Sequence, residues 1–418
     1  MRTEPPVDVN EPLGNHHRCQ TRRLDEPAPG GDHVRMKICH VITRLILGGA
    51  QENTILTCEG LHEKGHDVTL VTGPALGPEG ELMTRARTGG YEVIELGEMR
   101  REIHPLRDQK TYKRLTEVLV TLRPDVMHSH SSKAGILARR AAMKVGGMKI
   151  VHTIHGLPFH PYQNWVSNRL YIALEKYAAA HTDAILSVAD AMTSKALAAG
   201  IGRQDLYQTV YSAMEVDLYT ERAAPADVFR RSLQLPEDAV LVTQVSRLAE
   251  LKGHEYILAA ARQIDDPRVH FCFVGDGALR ELIEADIRDA GLADRFHLTG
   301  LLPPEQIPQV MHGTDILVHC SLREGLARTL PQAMLAGKPV VSFDIDGAGE
   351  VVTPDTGILL EPKDMDGLAE AVRILADSAE LRDRLGRAGK ALCAERFDHR
   401  KMVDQIESVY QRILNDGE

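Results

Sequence analysis

The sequence predicts an α/β protein of two consecutive domains, each built on a doubly wound parallel sheet. The chain has 418 residues, which is too many for a single hydrophobic core. From Met36 onward, short continuous β-branched runs alternate with amphipathic stretches of helical length, as strands covered on both faces should. The alternation begins again after a small polar stretch at 220–225, so we expect a second sheet there.

The elements follow from these runs. The strands predicted for the first domain are Ile38–Ile42, Val68–Thr72, Tyr91–Leu96, Asp125–His128, Lys149–Ile154 and Ala184–Val188. Those predicted for the second domain are Val240–Val245, Val269–Val274, Phe296–Thr299, Ile316–His319, Val340–Phe343 and Gly357–Leu360. The amphipathic stretches predict helices between them, and a last helix at Arg400–Leu414 has no strand partner. We therefore assign 36–222 to a first Rossmann-like domain, 223–398 to a second one, 399–418 to a C-terminal helix, and 1–35 to a tail that is disordered or precedes the true start.

Composition narrows the class of protein. The net charge is −10, and neither domain has the strong positive field that nucleic-acid binding requires, so we expect no nucleic-acid partner. The six cysteines are scattered without a C-x-x-C pair, which is typical of a reduced compartment. No apolar run approaches the length of a membrane span, and 1–35 contains no secretory signal. These features predict a cytoplasmic location.

The loops after strands are the places to look for a site, because ligands of parallel sheets bind at the carboxyl ends of the strands. Gly48, Gly49 and Ala50 follow the first strand and open a helix. Paired glycines let the backbone approach a ligand, and a helix N-terminus offers N–H groups to an anion. A tight structural turn is the alternative. The G-x-G-x-x-G spacing is missing, which disfavours a dinucleotide-dependent dehydrogenase.

A second loop follows the first strand of the second domain. Arg247 lies where that strand ends, and Lys252 lies just before a helix. Two cations at a helix N-terminus suit a diphosphate, and they can stabilise a leaving diphosphate without a metal ion. The alternative is a surface arrangement in which Lys252 is solvated and Arg247 is bonded to Glu250.

A third loop places Glu324 and Gly325 between a strand and a helix. An acid beside free backbone N–H groups is a candidate site residue, although Glu324 can also form a surface ion pair with Arg323. Thr329 and Gln332 have the spacing of a capping box at the start of the following helix.

Histidines cluster at the ends of two first-domain strands, at His128, His130, His152 and His155. Four imidazoles can bind zinc, but no carboxylate or thiolate completes an obvious ligand set. Polar residues that bind sugar hydroxyls are the favoured interpretation. The strings Asp344–Asp346 and Asp364–Asp366 are interpreted as a turn and a helix cap rather than as metal ligands. We therefore expect no metal or other cofactor.

In their order along the chain, these loops resemble the retaining glycosyltransferase family 4, which has the GT-B fold. The resemblance runs through the whole chain from Met36. It is carried by Gly48-Gly49-Ala50, His128-Ser129-His130, His155-Gly156, Ser246-Arg247 with Lys252-Gly253, Gly275-Asp276-Gly277, and Glu324-Gly325 leading to Ala333–Val341. It implies two domains that face each other across a cleft and a last helix that crosses back to the first domain.

The resemblance also implies roles for single residues. Arg247 and Lys252 would bind the donor diphosphate, Glu324 would bind the donor sugar, and His155 would contact that sugar from the first domain. These four form the expected catalytic set. The other expected donor-binding residues are Gly48, Gly49, Gly275, Gly277, Leu301, Gly325, Leu326, Ala327, Thr329, Leu330 and Gln332. The N–H groups of Thr329 and Leu330 would hold the distal phosphate. His128 and His130 are expected on the acceptor side.

The implied partners are a nucleotide-diphosphate sugar and a carbohydrate or glycolipid acceptor, in glycolipid, cell-envelope or exopolysaccharide assembly. One position departs from the family: Gln332 stands where the family has a second glutamate, which binds the ribose. We expect weaker donor binding, and a non-catalytic nucleotide-sugar binder stays an alternative, as does a nucleotide-sugar epimerase. Peripheral membrane contact is a separate hypothesis. It depends on the cations Arg100, Arg101, Arg107, Lys110, Lys113 and Arg114, and a solvated face is its alternative.

Overall fold

The computed structural model describes residues 34–76, 80–221 and 227–416. The predicted tail lies outside these residues except for its last two, and the predicted domain boundary at 222–223 also lies outside them. Both assignments stay predictions. Among the described residues, no helix has the length and apolarity needed to cross a membrane.

The first domain is a parallel sheet with helices on both faces. Its sheet has seven strands in the described part of the chain, in the order β3-β2-β1-β4-β5-β6-β7. The strands are β1 (Lys37–Ile42), β2 (Asp67–Thr72), β3 (Glu92–Glu95), β4 (Val126–His130), β5 (Lys149–Ile154), β6 (Ala184–Ser187) and β7 (Tyr207–Thr209). The helices are α1 (Gly49–Glu63), α2 (Met83–Thr88), α3 (Pro105–Leu122), α4 (Ser132–Val145), α5 (Trp165–Ala179) and α6 (Asp190–Ala198).

The second domain repeats the architecture. Within the described ranges its sheet has six parallel strands, in the order β10-β9-β8-β11-β12-β13. They are β8 (Val240–Val245), β9 (Val269–Val274), β10 (Phe296–Gly300), β11 (Ile316–His319), β12 (Val340–Phe343) and β13 (Gly357–Leu360). The helices from the connecting segment onward are α7 (Asp217–Thr220), α8 (Asp227–Ser232), α9 (His254–Ala261), α10 (Arg280–Asp289), α11 (Ile307–Gly313), α12 (Thr329–Leu335), α13 (Met365–Asp377), α14 (Ala379–Arg396) and α15 (His399–Asn415).

The helix α14 is the largest element that the sequence pattern does not predict. It contains Gly386 and Gly389, and glycine is a poor helix former. Both glycines are contact points: a Cβ on Gly386 would lie 2.0 Å from the carbonyl oxygen of Gly337, and one on Gly389 would lie 2.9 Å from Cγ of Met334. Close packing against α12 and the turn after it therefore overrides local propensity.

The last helix lies on the first domain, as the resemblance implies. The buried side chains of α15 join the same core cluster as those of α1 and β2, and a Cβ on Gly60 would meet Cγ2 of Val403 at 2.6 Å. The buried Glu407 accepts from Lys64 Nζ at 2.7 Å and pairs with His66 Nε2 at 2.9 Å. These contacts make α15 a structural part of the first domain.

The two strand orders bring the candidate loops together. In the first sheet the order reverses between β1 and β4, and in the second between β8 and β11. Loops that leave the carboxyl ends of strands at such a switch point form the usual ligand crevice of an open α/β sheet. Arg247 and Lys252 follow β8 and Glu324 follows β11, so neighbouring strands position all three side chains.

Candidate active site

A cavity of about 880 Å³ lies between the loops at the switch points of the two sheets. The first domain contributes Gly48, Gly49 and Ser131 to its lining, and the second contributes Arg247, Lys252 and Glu324 among others. A cavity of this size accommodates a small-molecule ligand. The three loops that the sequence singles out therefore contribute to one site.

The centre of the second-domain side is an ion pair between Lys252 and Glu324. Nζ of Lys252 lies 2.5 Å from Oε1 of Glu324, and Nε2 of His319 lies 3.5 Å from the same oxygen. The backbone N–H of Glu324 donates to Oδ2 of Asp346 at 2.6 Å, which fixes the loop. Burial raises the pKa of Glu324, but the positive charge of Lys252 and the bond to His319 outweigh it and hold that pKa well below its usual range. The carboxylate is therefore ionised at neutral pH.

These pairings correct the alternatives drawn from the sequence. Lys252 is not a solvated surface cation, since its partner is Glu324. Arg323 does not pair with Glu324, because its guanidinium donates to the carbonyl oxygen of Leu157 at 2.6 Å.

Two glycines allow the loops to come this close. Gly253 has φ +77°, and a Cβ there would lie 1.9 Å from the carbonyl oxygen of Cys320. The close packing of Gly253 against Cys320 places Lys252 next to the loop that contains Glu324. A Cβ on Gly325 would lie 2.1 Å from the carbonyl oxygen of His155, so a contact between the domains requires glycine there.

The expected donor-binding residues divide into two sets. Those that line the cavity are Gly48, Gly49, Gly275, Leu301, Leu326, Ala327, Thr329 and Gln332. Gly277, Gly325 and Leu330 lie outside the lining. Leu330 is fully buried, and its N–H donates to the carbonyl oxygen of Ala327 at 3.1 Å, so that N–H does not face a phosphate here. Gly277 packs against Leu248, whose carbonyl oxygen a Cβ would meet at 2.3 Å. Neither group faces the cavity in this structure, and the assignment of both to the donor stays a prediction.

The histidine expectations also need correction. The side chains of His128 and His130 are buried and outside the cavity lining, so they do not present themselves to an acceptor. His128 bonds Tyr410 Oη at 2.5 Å and Thr153 Oγ1 at 2.7 Å. His130 bonds His40 Nδ1 at 3.0 Å and His155 Nε2 at 3.1 Å. Their role in this structure is to join β1, β4, β5 and α15.

His155 lies at the cavity end of this cluster and is half-buried, but its side chain is not part of the lining. Burial, with a smaller contribution from the positive charge of Arg328, lowers the pKa of His155 to about 3. The imidazole is therefore neutral at physiological pH. A neutral imidazole carries no charge for a phosphate, and the expected contact of His155 with the donor sugar stays a prediction.

In the part of the chain that the structure describes, His40, His128 and His130 are the one group of side chains whose ligand atoms lie close enough to hold a metal ion, all within 4.8 Å of one another. Five of their six ring nitrogens already have hydrogen-bond partners, and His40 Nε2 is the exception. Hydrogen bonding accounts for the geometry of the cluster, and the preference for it over zinc binding stays a prediction.

Two contacts of the site are not predicted from the sequence. Nη1 of Arg328 lies 2.7 Å from Oε2 of Glu52 and donates to the carbonyl oxygen of Gly49 at 3.3 Å, which joins the two domains beside the cavity. The second contact is the hydrogen bond that Gln332 donates to Tyr219 Oη at 2.8 Å. The helix α12 has no side-chain cap, so the predicted capping box of Thr329 and Gln332 is wrong. No local sequence pattern relates residues this far apart in the chain.

Two Rossmann-like domains with a ligand-sized cavity between their switch points are the architecture of the GT-B class of folds. Solved structures of that class have the same fold. Sucrose-phosphate synthase from Thermosynechococcus elongatus has a TM-score of 0.80 at 19% identity and covers 91% of this chain and 100% of its own. Anabaena HepE in complex with UDP-glucose has a TM-score of 0.78 at 22% identity and covers 90% of this chain and 100% of its own.

The family follows from the sequence comparisons. Residues 48–209 match the glycosyl transferase 4-like domain, and residues 226–392 match the glycosyl transferases group 1. The 2-deoxystreptamine glucosyltransferase of Streptomyces kanamyceticus is 31% identical over 301 residues, 69% of this chain and 77% of the relative. An α-1,3-galactosyltransferase of Escherichia coli that acts on GlcNAc-diphosphoundecaprenol is 26% identical over 390 residues, 90% of this chain and 97% of the relative. The chain belongs to the group 1 glycosyl transferases and is a glycosyltransferase with a nucleotide-sugar donor.

Proposed function

We propose that this protein is a retaining glycosyltransferase that moves a hexose from a nucleotide-diphosphate sugar to an acceptor hydroxyl without a metal ion. The observation that carries the proposal is the ion pair of Lys252 and Glu324 beside Arg247 in the cavity. The two cations bind the donor diphosphate and stabilise the charge that develops on it as it leaves. The ionised Glu324 stabilises the positive charge that develops at the anomeric carbon.

Retention follows when the acceptor attacks from the side that the leaving group vacates. The bond from the anomeric carbon to the phosphate oxygen breaks, and the bond to the acceptor oxygen forms on the same face. The departing phosphate oxygen takes the proton of the acceptor hydroxyl, so Arg247 and Lys252 position the base as well as the leaving group. No step requires a second carboxylate.

The acceptor is a carbohydrate or a glycolipid, in the assembly of a glycolipid, the cell envelope or an exopolysaccharide. The relative in Escherichia coli supports the glycolipid, and the relative in Streptomyces kanamyceticus acts on 2-deoxystreptamine, a small soluble acceptor. Peripheral contact with the cytoplasmic face of a membrane is part of the proposal.

We expect one nucleotide class to raise the Tm by about 4 °C or more at saturating concentration, because ligand binding to the folded state adds to its stability. The test is a thermal-unfolding panel of UDP-, GDP-, ADP- and dTDP-sugars in EDTA. The variant Arg247→Ala/Lys252→Ala should lose the shift, since both phosphate-binding cations are gone. The control variant Arg288→Ala/Arg387→Ala removes two exposed cations of the same domain and should keep it.

Each outcome bears on a different hypothesis. If no nucleotide stabilises the folded wild-type protein, the donor site is wrong. If one stabilises it but the protein releases no nucleotide over long incubation with water or acceptors, the protein is a non-catalytic binder. A shift that appears only when Mg²⁺ or Mn²⁺ is added would contradict metal independence.

Gln332→Glu is expected to tighten donor binding about three- to tenfold, since a charge-assisted hydrogen bond to a ribose hydroxyl is stronger than a neutral one. Tyr219 Oη can turn from acceptor to donor and bond the new carboxylate, which keeps it paired. The measurement is the donor Kd by calorimetry. Gln405→Glu adds the same charge on the exposed face of α15 and should leave the Kd unchanged. Equal or weaker binding by Gln332→Glu would place the ribose elsewhere.

A further inference from the structure

The solvent-exposed face of α5 is apolar along its length. Trp165, Val166, Leu170, Leu174 and Tyr177 are between 37% and 68% exposed. The last four share one helical stripe, and Trp165 lies at its edge in the first turn, beside Arg169. The carboxylate of α5, Glu175, is turned inward, where it pairs with the buried Arg139 at 2.6 Å. A contiguous exposed apolar face of this kind marks an interaction surface.

This face is continuous with the cavity. Beyond the donor loops the cavity extends into the first domain, where Ile103, Ile136, Leu137, Tyr171 and Leu174 line it. Leu174 belongs both to the lining and to the exposed stripe of α5. Ile103 is 70% exposed and also lines the cavity. Apolar side chains therefore join the outer face of α5 to the cavity, whose first-domain lining also includes the charged side chains of Asp108, Lys133 and Glu175.

Two guanidinium groups belong to the same cavity. Arg101 and Arg323 both line the cavity, and neither has an ion-pair partner among the described residues. They are close enough for the charge of Arg101 to add to burial, the larger cause, in lowering the pKa of Arg323. The carboxylates of Glu324 and Asp346 act in the opposite direction and raise the pKa of Arg323. Guanidinium groups bind a multivalent anion such as a diphosphate through paired hydrogen bonds.

We propose that the acceptor is an anionic lipid-linked glycan that the protein takes from a membrane surface. The lipid chain lies along the apolar part of the cavity, and the acceptor phosphates lie against Arg101 and Arg323. The sugar hydroxyl to be glycosylated then reaches Glu324, while the α5 face rests on an anionic bilayer. This assignment rests on the proposed glycosyl transfer and specifies its acceptor.

The charges around α5 favour a bilayer over a second copy of the chain. Arg169 and Lys176 are the exposed ionic side chains of α5, and both are cationic. The two cations are seven residues apart and lie along one edge of the apolar stripe, so an anionic surface attracts that edge and accepts the stripe beside it. A second copy seated on α5 would cover the cavity at Leu174 and Ile103, where the acceptor enters.

The membrane step can be tested with the protein's own fluorophore, because Trp165 is the single tryptophan of the chain. Vesicles of phosphatidylethanolamine and phosphatidylglycerol should shift its emission to the blue, and brominated lipid should quench it. Val166→Ser/Leu170→Ser should weaken vesicle binding by about tenfold or more, because two apolar side chains are lost from the contact. Leu282→Ser/Ile374→Ser removes two exposed apolar side chains of the second domain and should bind as the wild type does.

The acceptor class can be tested with geranylgeranyl diphosphate while the donor site is saturated with the nucleoside diphosphate that stabilises the protein most. It should bind about tenfold or more tightly than inorganic diphosphate or geranylgeraniol, because each of these lacks one half of the contact. Arg101→Gln should weaken that binding by about tenfold, since a charge-assisted contact is lost. Lys113→Gln, an exposed cation of the same segment, should leave it unchanged.

Three results would overturn the assignment: unchanged Trp165 emission with anionic vesicles, equal binding of geranylgeranyl and inorganic diphosphate, or a dimer that Val166→Ser/Leu170→Ser dissociates in sedimentation. Failure of the proposed function has a different signature. In that case the wild type gains no stability from any nucleotide sugar although it still binds vesicles.

Discussion

Replacement of Glu324 by glutamine is expected to lower kcat by about 10²–10³-fold and to change the donor Kd by no more than about threefold. Glutamine keeps the size and the hydrogen-bonding oxygen of the side chain but removes its negative charge. That charge matters most when positive charge develops at the anomeric carbon, so the transition state loses more than the bound donor does. The pairing with Lys252 and His319 holds the carboxylate ionised and in place before the reaction begins.

The measurement is steady-state kinetics with the donor that the thermal panel identifies, together with calorimetry for the Kd. Glu305→Gln removes an exposed carboxylate near the same cavity and should keep full kcat. A kcat of Glu324→Gln close to that of the wild type would remove Glu324 from the reaction centre. A large loss of donor affinity with unchanged kcat would make it a ground-state binding residue instead.

The sequence predicts the sheets well because buried parallel strands are continuous β-branched runs. Lys149–Ile154 and Val240–Val245 are observed with the predicted bounds. Helices are less well predicted where local composition and tertiary contact disagree. The apolar periodicity predicts a helix at Thr111–Leu122, but α3 begins at Pro105, because His104 accepts from the N–H of Arg107 and Pro105 occupies the first position.

The site is predictable as a set of loops but not as a set of contacts. Strand order alone brings Lys252 and Glu324 to neighbouring carboxyl ends, although they are 72 positions apart. The pair of Arg328 and Glu52 depends on how the two domains meet, which no local pattern encodes. The H-x-H string places His128 and His130 on one side of β4 correctly, but only the packing of α15 shows that this side is buried.

The free energy of unfolding is expected to fall steeply as the pH drops below 6.5, because the first domain buries a set of neutral imidazoles. Burial lowers the pKa of His40 and of His155 to about 3. It lowers the pKa of His128, His130 and His152 well below 6.5. The unfolded chain binds protons at pH 6.5 and below, whereas the folded chain does not. Above pH 6.5 these histidines therefore do not lower the free energy of unfolding. Below pH 6.5 each of them lowers it by about 1.4 kcal/mol per pH unit, until the pH reaches the pKa of that histidine in the folded protein.

Urea unfolding at several pH values between neutrality and pH 5, followed by circular dichroism, measures this slope. His40→Asn removes one titrating group but keeps a polar atom near His130, so it should reduce the proton uptake on unfolding by about one. His181→Asn changes an exposed histidine and should leave the slope as in the wild type. Because His128 also bonds Tyr410, protonation of the cluster should release α15 from the first domain in the same transition. Equal unfolding free energies at pH 7 and pH 5 would show that these imidazoles take up protons in the folded protein as readily as in the unfolded chain, which would contradict the lowered pKa values.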